Sequence, residues 1–188
     1  CDPEYSKNVH ITNCVFDTGD DCIAIKSGRN NDGRRVNIPS ENIVVENCEM
    51  KDGHGGVVMG SEISAGVRNV FVRNCKMDSP ELDRAIRIKT NTLRGGFVEN
   101  VFVKNIQVGE VKEAVLKINT YYGIYANQEG NFIPTIKNIH LEDIQVEKGG
   151  QYGVLIKGRS ESLVKNVTLT NVYINGAETP LSIENCEP

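Results

Sequence analysis

The sequence contains no tryptophan, and aromatic side chains make up only 6% of its 188 residues. This composition argues against a core built on large rings and suits a thin core of aliphatic side chains. The net charge of −4 is not expected to attract nucleic acid or acidic membranes. No apolar stretch approaches the roughly twenty residues of a membrane-spanning helix. The length suits one domain, residues 1–188.

What the sequence has instead is a repeated seven-residue line. Each copy begins with Asn, continues through alternating apolar residues and ends in Asn or Asp followed by Cys, Ile or Val. The copies begin 27 to 38 residues apart, at Asn8, Asn42, Asn69, Asn100, Asn138 and Asn166. Such a period is typical of a solenoid, in which each unit buries its apolar face against its neighbours.

A second short apolar run follows in every unit. The runs start at Cys22, Gly56, Ala85, Ala114, Gly153 and Pro180. They are rich in Val and Ile and are bounded by Gly, Asn, Asp or Ser, so they predict strands. No segment shows the sustained periodicity of a helix. We therefore expect an all-β fold without helices, a parallel β-helix of about six coils.

Asparagine supports this prediction because it recurs at two positions, five residues apart, in every unit. The pairs are Asn8/Asn13, Asn42/Asn47, Asn69/Asn74, Asn100/Asn105, Asn138/Asp143 and Asn166/Asn171. Asn tolerates the left-handed backbone conformation that a tight corner needs. Stacked coils bring like amides within about 4.7–4.9 Å, where they can hydrogen-bond along the column.

The six cysteines do not read as a disulfide framework. Three of them occupy one position of successive units, which Ile or Val takes in later units, so we interpret it as a packing position. The column is Cys14, Cys48, Cys75, Ile106, Ile144 and Val172. Cys22 aligns with Gly56, Ala85 and Ala114 in a second slot for small residues. Cys1 and Cys186 fit neither column, and zinc-site spacings are absent.

Three departures from the repeat fall on neighbouring units. Asp20 and Asp21 stand just ahead of one second strand, and His54, flanked by glycines, takes the place of Asp20 one unit later. In the third unit, Arg87 and Lys89 project from the same face of the strand. The rung spacing places His54 about 4.8 Å from the aspartates and the two cations on the order of 10 Å away. Each feature alone is typical of a solvated turn, a flexible corner or a wet strand face, but together they suit an anionic substrate.

Gly19-Asp-Asp-Cys, Gly53-His-Gly and Arg87-Ile-Lys, in this order and at these spacings, resemble the polygalacturonases of glycoside hydrolase family 28. The resemblance covers essentially the whole chain. It implies a right-handed, single-stranded parallel β-helix. It also implies hydrolysis of α-1,4-linked galacturonic acid in pectin, with inversion of configuration.

The resemblance also implies a role for each residue of the cluster. Asp20 matches the general acid, Asp21 matches a carboxylate that activates water, and His54 matches the histidine that supports the acid's protonation state. Arg87 and Lys89 match the basic pair that holds a substrate carboxylate.

Two further substrate contacts are predicted from the same resemblance. Tyr121 matches a substrate-contacting tyrosine, with Tyr122 as its rival and a packing role as the alternative. The polar segment 26–35 resembles the exo-acting bacterial type and would close one end of the cleft. Arg29 and two later arginines in it would meet substrate carboxylates, unless the segment is simply an exposed basic loop.

One catalytic carboxylate of the family has no counterpart here. Inverting glycosidases separate their acid and base by ~6.5–9.5 Å, against ~5–5.5 Å in retaining enzymes, a gap that adjacent Asp20 and Asp21 do not easily supply alone. The family carries another Asp in an upstream Asn-Thr-Asp-Gly motif, which this sequence lacks and which Asp2 does not match. The sequence thus resembles a C-terminal portion of the enzyme, shortened at its N-terminal side. We expect the isolated chain to hydrolyse polygalacturonate poorly or not at all.

Other functions stay open on the sequence alone. They are a rhamnogalacturonan hydrolase, a calcium-dependent lyase and a non-catalytic β-helical polysaccharide-binding module. The intact Gly53-His-Gly and Arg87-Ile-Lys argue against a rhamnogalacturonan hydrolase. The sequence contains no carboxylate cluster suited to calcium, which argues against the lyase. We expect no cofactor, no metal, an acidic polysaccharide as partner, no nucleic acid or membrane partner, and a monomer. A polymeric substrate implies that the protein is secreted or periplasmic.

Overall fold

The structure, a computed structural model, describes residues 1–123 and 129–188 as parallel strands wound into a solenoid. The strands are β1 (Lys7–Thr12), β2 (Val15–Phe16), β3 (Ile23–Ile25), β4 (Ser40–Glu46), β5 (Glu49–Met50), β6 (Val57–Gly60), β7 (Val67–Met77), β8 (Arg84–Lys89), β9 (Phe97–Glu110), β10 (Ala114–Asn119), β11 (Thr135–Lys148), β12 (Tyr152–Lys157), β13 (Val164–Ile174), β14 (Thr179–Glu184) and β15 (Cys186–Glu187). A nine-stranded sheet has the order β1-β4-β7-β9-β11-β13-β15, with β2 and β5 alongside. A six-stranded sheet has the order β14-β12-β10-β8-β6-β3. The predicted parallel β-helix of about six coils is confirmed.

Strand β9 illustrates how the repeat forms these coils. Its buried residues include Val98 and Val101, which are three apart rather than two. The residue between them that resets the alternation is Asn100, whose φ is +59°. A residue in the left-handed conformation shifts the inward–outward alternation of side chains by one position, so the aliphatic side chains on both sides of the corner point inward. The corner asparagine therefore decides which side chains enter the core.

The asparagine columns are confirmed. All twelve predicted corner residues have positive φ, between +52° and +59°. In the first column each side-chain amide donates to the amide oxygen one coil earlier, at 2.9 to 3.1 Å, from Asn166 back to Asn8. In the second column, Asn105 donates to Asn74 and Asn171 donates to Asp143. These bonds link successive coils outside the backbone ladder.

The thiol column is also confirmed as packing. Cys48 and Cys75 are buried, Cys14 is partly buried, and Cys75 pairs in register with Ile106. All six cysteines are free thiols. The prediction that Cys22, Gly56, Ala85 and Ala114 share one position of the coil is confirmed only in part. Ala114 pairs with Arg84, so it lies one residue out of the register that Cys22 and Ala85 share.

The expectation of no helix was wrong. A seven-residue helix, α1 (Asn30–Val36), begins within the polar segment 26–35. Only Gly33 of α1 is buried, which is why the sequence carries no helical apolar stripe. Asn37 caps the C-terminus of the helix. Its backbone is left-handed, and its N–H donates to the carbonyl of Gly33. Among the described residues, no helix is both long and apolar enough to span a membrane.

Candidate active site

The predicted cluster lies on three adjacent strands of the six-stranded sheet. Strand β6 pairs with β3 on one side and β8 on the other, in the register Ile23–Val57–Ile86 that the repeat predicts. The acids precede β3, the histidine precedes β6 and the cations lie within β8. Their side chains line one cleft of about 500 Å³, together with further charged groups.

Asp20 and His54 form a pair at the mouth of this cleft. The Nδ1 atom of His54 lies 3.0 Å from Oδ1 of Asp20, and the backbone N–H of His54 donates to the Asp20 carbonyl at 3.1 Å. Both side chains are exposed, at 54% and 81%. The prediction that His54 lies one rung from the aspartates is confirmed.

Gly53 permits this close approach. A Cβ at Gly53 would lie 2.6 Å from the carbonyl oxygen of Asp20, a distance at which the backbone would have to move. The group that approaches Gly53 is therefore the backbone of the preceding coil.

The environment lowers the pKa of the Asp20 carboxyl below its usual value of 3.8. Partial burial works in the opposite direction. The Asp21 N–H, which donates to Oδ1 at 2.7 Å, and the His54 ring outweigh it. A carboxylate that accepts two hydrogen bonds is favoured in its ionised form.

Asp21 lies deeper and faces the two cations. Its side chain is only 6% exposed, Oδ2 accepts a hydrogen bond from Lys89 Nζ at 2.6 Å, and Oδ1 lies 3.6 Å from Arg87 Nη1. The predicted separation on the order of 10 Å applies to the backbones, because long side chains span the two rungs. Burial lowers the pKa of Lys89, and the neighbouring positive charge of Arg87 lowers it further. The Asp21 carboxylate acts in the opposite direction.

Of the two neighbouring tyrosines, Tyr122 lines the cleft and Tyr121 does not. The Tyr122 ring lies 5.4 Å from the Arg87 guanidinium and 5.2 Å from Lys89 Nζ. Tyr121 is 42% exposed and lies against Arg159, one coil further on. The residue proposed as the rival is therefore the one beside the cationic pair.

Arg29 is exposed and does not line the cleft. It precedes helix α1, whose Arg34 donates to the carbonyls of Leu93 and Arg94 at 3.2 and 2.9 Å. Arg35 pairs with Asp32 of the same helix. The segment thus packs along the edge of the coils, and two of its three arginines are engaged within the protein.

Five charged residues that line the cleft were not predicted as site residues: Asp2, Lys26, Glu62, Asp83 and Arg84. Lys26 pairs with Glu62 at 3.0 Å, and Arg84 pairs with Asp83 at the same distance. One of them has a signal in the repeat. Lys26 follows β3 immediately, so it lies beside Gly60 and hence in line with Lys89. Asp2 brings a carboxylate to the cleft even though it matches no motif.

Comparison with known proteins gives a consistent result. The sequence model of a family described as glycosyl hydrolases family 28 matches residues 1–188. The chain is 31% identical to an endo-polygalacturonase of Pectobacterium parmentieri, an alignment that covers 95% of this chain and 40% of the relative. It is 28% identical to an exo-poly-alpha-D-galacturonosidase of Dickeya chrysanthemi, over 96% of this chain and 31% of the relative.

A solved structure, a hyperthermoactive exopolygalacturonase from Thermotoga maritima, superposes with a TM-score of 0.90 at 39% identity. That superposition covers 99% of this chain and 43% of the other. The chain therefore spans less than half the length of each of these three relatives.

Proposed function

The chain belongs to glycosyl hydrolases family 28, and from that membership we propose that it carries a site for hydrolysis of α-1,4-galacturonosyl linkages in pectin. The observation that carries the proposal is the cationic pair at the base of the cleft. Arg87 and Lys89 are 8% and 6% exposed, yet they line an open cleft beside the Asp20–His54 pair. Buried cations facing a cleft suit a substrate that bears a carboxylate on each sugar.

The proposed reaction uses the two aspartates differently. Protonated Asp20 gives its proton to the glycosidic oxygen as the bond to the anomeric carbon breaks. A water attacks that carbon from the opposite face and loses its proton to a carboxylate, which inverts the configuration. Asp21 suits the second task because it lines the same cleft as Asp20 and faces the cationic pair that would hold the sugar carboxylate.

A general acid must hold its proton near the working pH, whereas the environment of Asp20 lowers its pKa. A bound polyanion supplies the opposite influence, because a negative charge beside a carboxyl favours the protonated form. We propose that galacturonate binding itself raises the pKa of Asp20. In this scheme His54 holds the Asp20 carboxyl in place, and the bound substrate determines the protonation state of Asp20.

We further propose an exo-acting enzyme outside the cytoplasm. The exo preference is supported by the resemblance of segment 26–35 to exo-acting enzymes and by the likeness to the Thermotoga exopolygalacturonase. Helix α1 is joined to the edge of the coils by Arg34, so the segment is not simply an exposed loop. A polymeric substrate supports this location, because the enzyme would then meet the polymer before the polymer crosses any membrane.

The test is an assay with protein in excess over oligogalacturonate, so that even slow cleavage yields measurable product. We expect galacturonate monomer from the wild-type chain and, from Asp20→Asn, at least a hundredfold less product, as loss of a general acid predicts. Binding of the oligomer, measured by calorimetry, should survive Asp20→Asn.

Arg87→Ala separates recognition from chemistry. It should weaken binding of oligogalacturonate strongly and binding of its neutral methyl ester little. Equal weakening for the acid and its ester would remove the proposed carboxylate contact, and unsaturated, ultraviolet-absorbing products would indicate a lyase. A ladder of oligomers would refute exo action alone.

A further inference from the structure

A second group of one tyrosine, one arginine and one lysine lies beyond the cleft. The Tyr121 ring lies 3.9 Å from the Arg159 guanidinium and 5.5 Å from Lys157 Nζ. This repeats the arrangement of Tyr122 with Arg87 and Lys89. Consecutive tyrosines thus serve as the ring of two separate cationic groups.

The strand register relates the two groups. Lys89 of β8 pairs with Asn119 of β10, and Asn119 pairs with Lys157 of β12. The two lysines therefore lie two rungs apart in one outward-facing column, a separation on the order of 10 Å. A chain bound at Lys89 and running along the coils would reach Lys157.

The second group differs from the first in its charge. Six other cations in or beside the cleft pair with an acid: Lys26 and Arg94 with Glu62, Arg84 with Asp83, Arg87 and Lys89 with Asp21, and Lys117 with Glu113. Within residues 1–123 and 129–188, neither Lys157 nor Arg159 forms an ion pair. The register neighbour of Lys157 is Glu184, which is exposed and makes no such contact.

Arg159 is also positioned in advance. It is 8% exposed, and its Nε donates to the carbonyl of Thr120 at 3.2 Å, while the Tyr121 ring lies against the guanidinium. A fixed planar guanidinium is well suited to a carboxylate, and among the described residues the other N–H groups of Arg159 have no hydrogen-bond partner. Exposed Lys157 adds a mobile positive charge beside it.

We propose that Tyr121, Lys157 and Arg159 form a second carboxylate-binding site, which holds a uronate unit further along the same polysaccharide chain. The inference rests on the proposed function and extends it. It makes the affinity for galacturonate oligomers depend on their length. Oligomers long enough to span both lysines engage both sites, whereas shorter ones engage only the first.

Lys157→Gln tests this, because it removes the charge from an exposed side chain and leaves the core intact. In the Asp20→Asn background, which prevents turnover, calorimetry would follow digalacturonate through pentagalacturonate. We expect about tenfold weaker binding of the longest oligomer, the loss typical of one charge-assisted contact, and unchanged binding of digalacturonate. The methyl-esterified pentamer should bind equally well to both proteins.

Lys76→Gln is the matched control, since Lys76 is an exposed lysine of β7 in the other sheet. Unchanged pentamer affinity in Lys157→Gln, with Arg87→Ala still weakening binding, would overturn the second site and leave the proposed function intact. Equal losses for the acid and its ester would also overturn it. A wild-type chain that binds no oligogalacturonate would overturn both proposals.

Discussion

The Asp20 carboxylate is controlled by two neighbours that the repeat brings to it. One is the N–H of the next residue, and the other is a ring from the following coil. Both stabilise the ionised form. The stability that ionised Asp20 contributes is present above its ordinary pKa near 3.8 and is lost as the pH falls through its lowered pKa in the fold.

His54→Ala should therefore raise the pKa of Asp20, because it removes one of the groups that lower it. The loss of stability on acidification would move to higher pH accordingly. Carbon-detected NMR of the Asp20 carboxyl across a pH titration measures the shift. His10→Ala is the control, since His10 pairs with Glu46 on the other sheet. An unchanged Asp20 titration in His54→Ala would contradict the assigned cause.

At the scale of elements, helix α1 depends on contacts outside itself. Its sequence, Asn-Asn-Asp-Gly-Arg-Arg-Val, is short and has poor helix propensity. Arg34 joins it to the coil edge through two carbonyls and through the Phe132 ring, whose centroid lies 3.5 Å from the guanidinium. The helix is thus stabilised by tertiary structure rather than by local preference.

Arg34→Ala should release α1 while the coils stay folded. We expect amide hydrogen exchange in α1 to accelerate at least tenfold, since hydrogen bonds to a charged group contribute roughly 1.5–3 kcal/mol. Arg35→Ala provides the comparison, because its exposed ion pair with Asp32 contributes little. Equal exchange rates in the two variants would show that the helix does not depend on Arg34.

The same helix shows why sequence reasoning succeeds for the coils and fails beside them. The corner asparagines and the Cys75–Ile106 column recur with a period, so one unit predicts the next. Helix α1 occurs only once in the sequence, so no repeated unit predicts it. A single contact, such as that of Arg34 with the Leu93 carbonyl, produces no recurring sequence pattern. The sequence likewise leaves the choice between Tyr121 and Tyr122 open, because beyond a strand end the direction of adjacent side chains does not follow the strand alternation.

At the scale of the whole molecule, the asparagine column joins coils that are far apart in sequence. Asn100 donates to Asn69 at 3.1 Å and accepts from Asn138 at 2.9 Å. A solenoid derives its stability from contacts between neighbouring repeats, so each interrupted link weakens the stack. Interior links carry two bonds, whereas the terminal members carry fewer.

Asn100→Gly should lower the free energy of unfolding by about 1–2 kcal/mol, the net value of the two hydrogen bonds lost. Glycine keeps the left-handed corner without strain, so the change isolates the amide. Urea denaturation followed by circular dichroism measures it. Asn13→Gly is the matched corner, because the Asn13 side chain makes no hydrogen bond among the described residues although its φ is +55°. Equal losses at both positions would remove the column as a source of stability.

The thiols packed inside the solenoid have a chemical consequence. Burial raises the pKa of Cys75 to about 11. At neutral pH, on the order of one molecule in ten thousand then carries the thiolate that reacts with oxidants or alkylating reagents. Burial also raises the pKa of Cys22, Cys48 and Cys186, so several sulfur atoms of the solenoid are unreactive while it stays folded. A modified Cys75 would record that the coil above or below it had come apart.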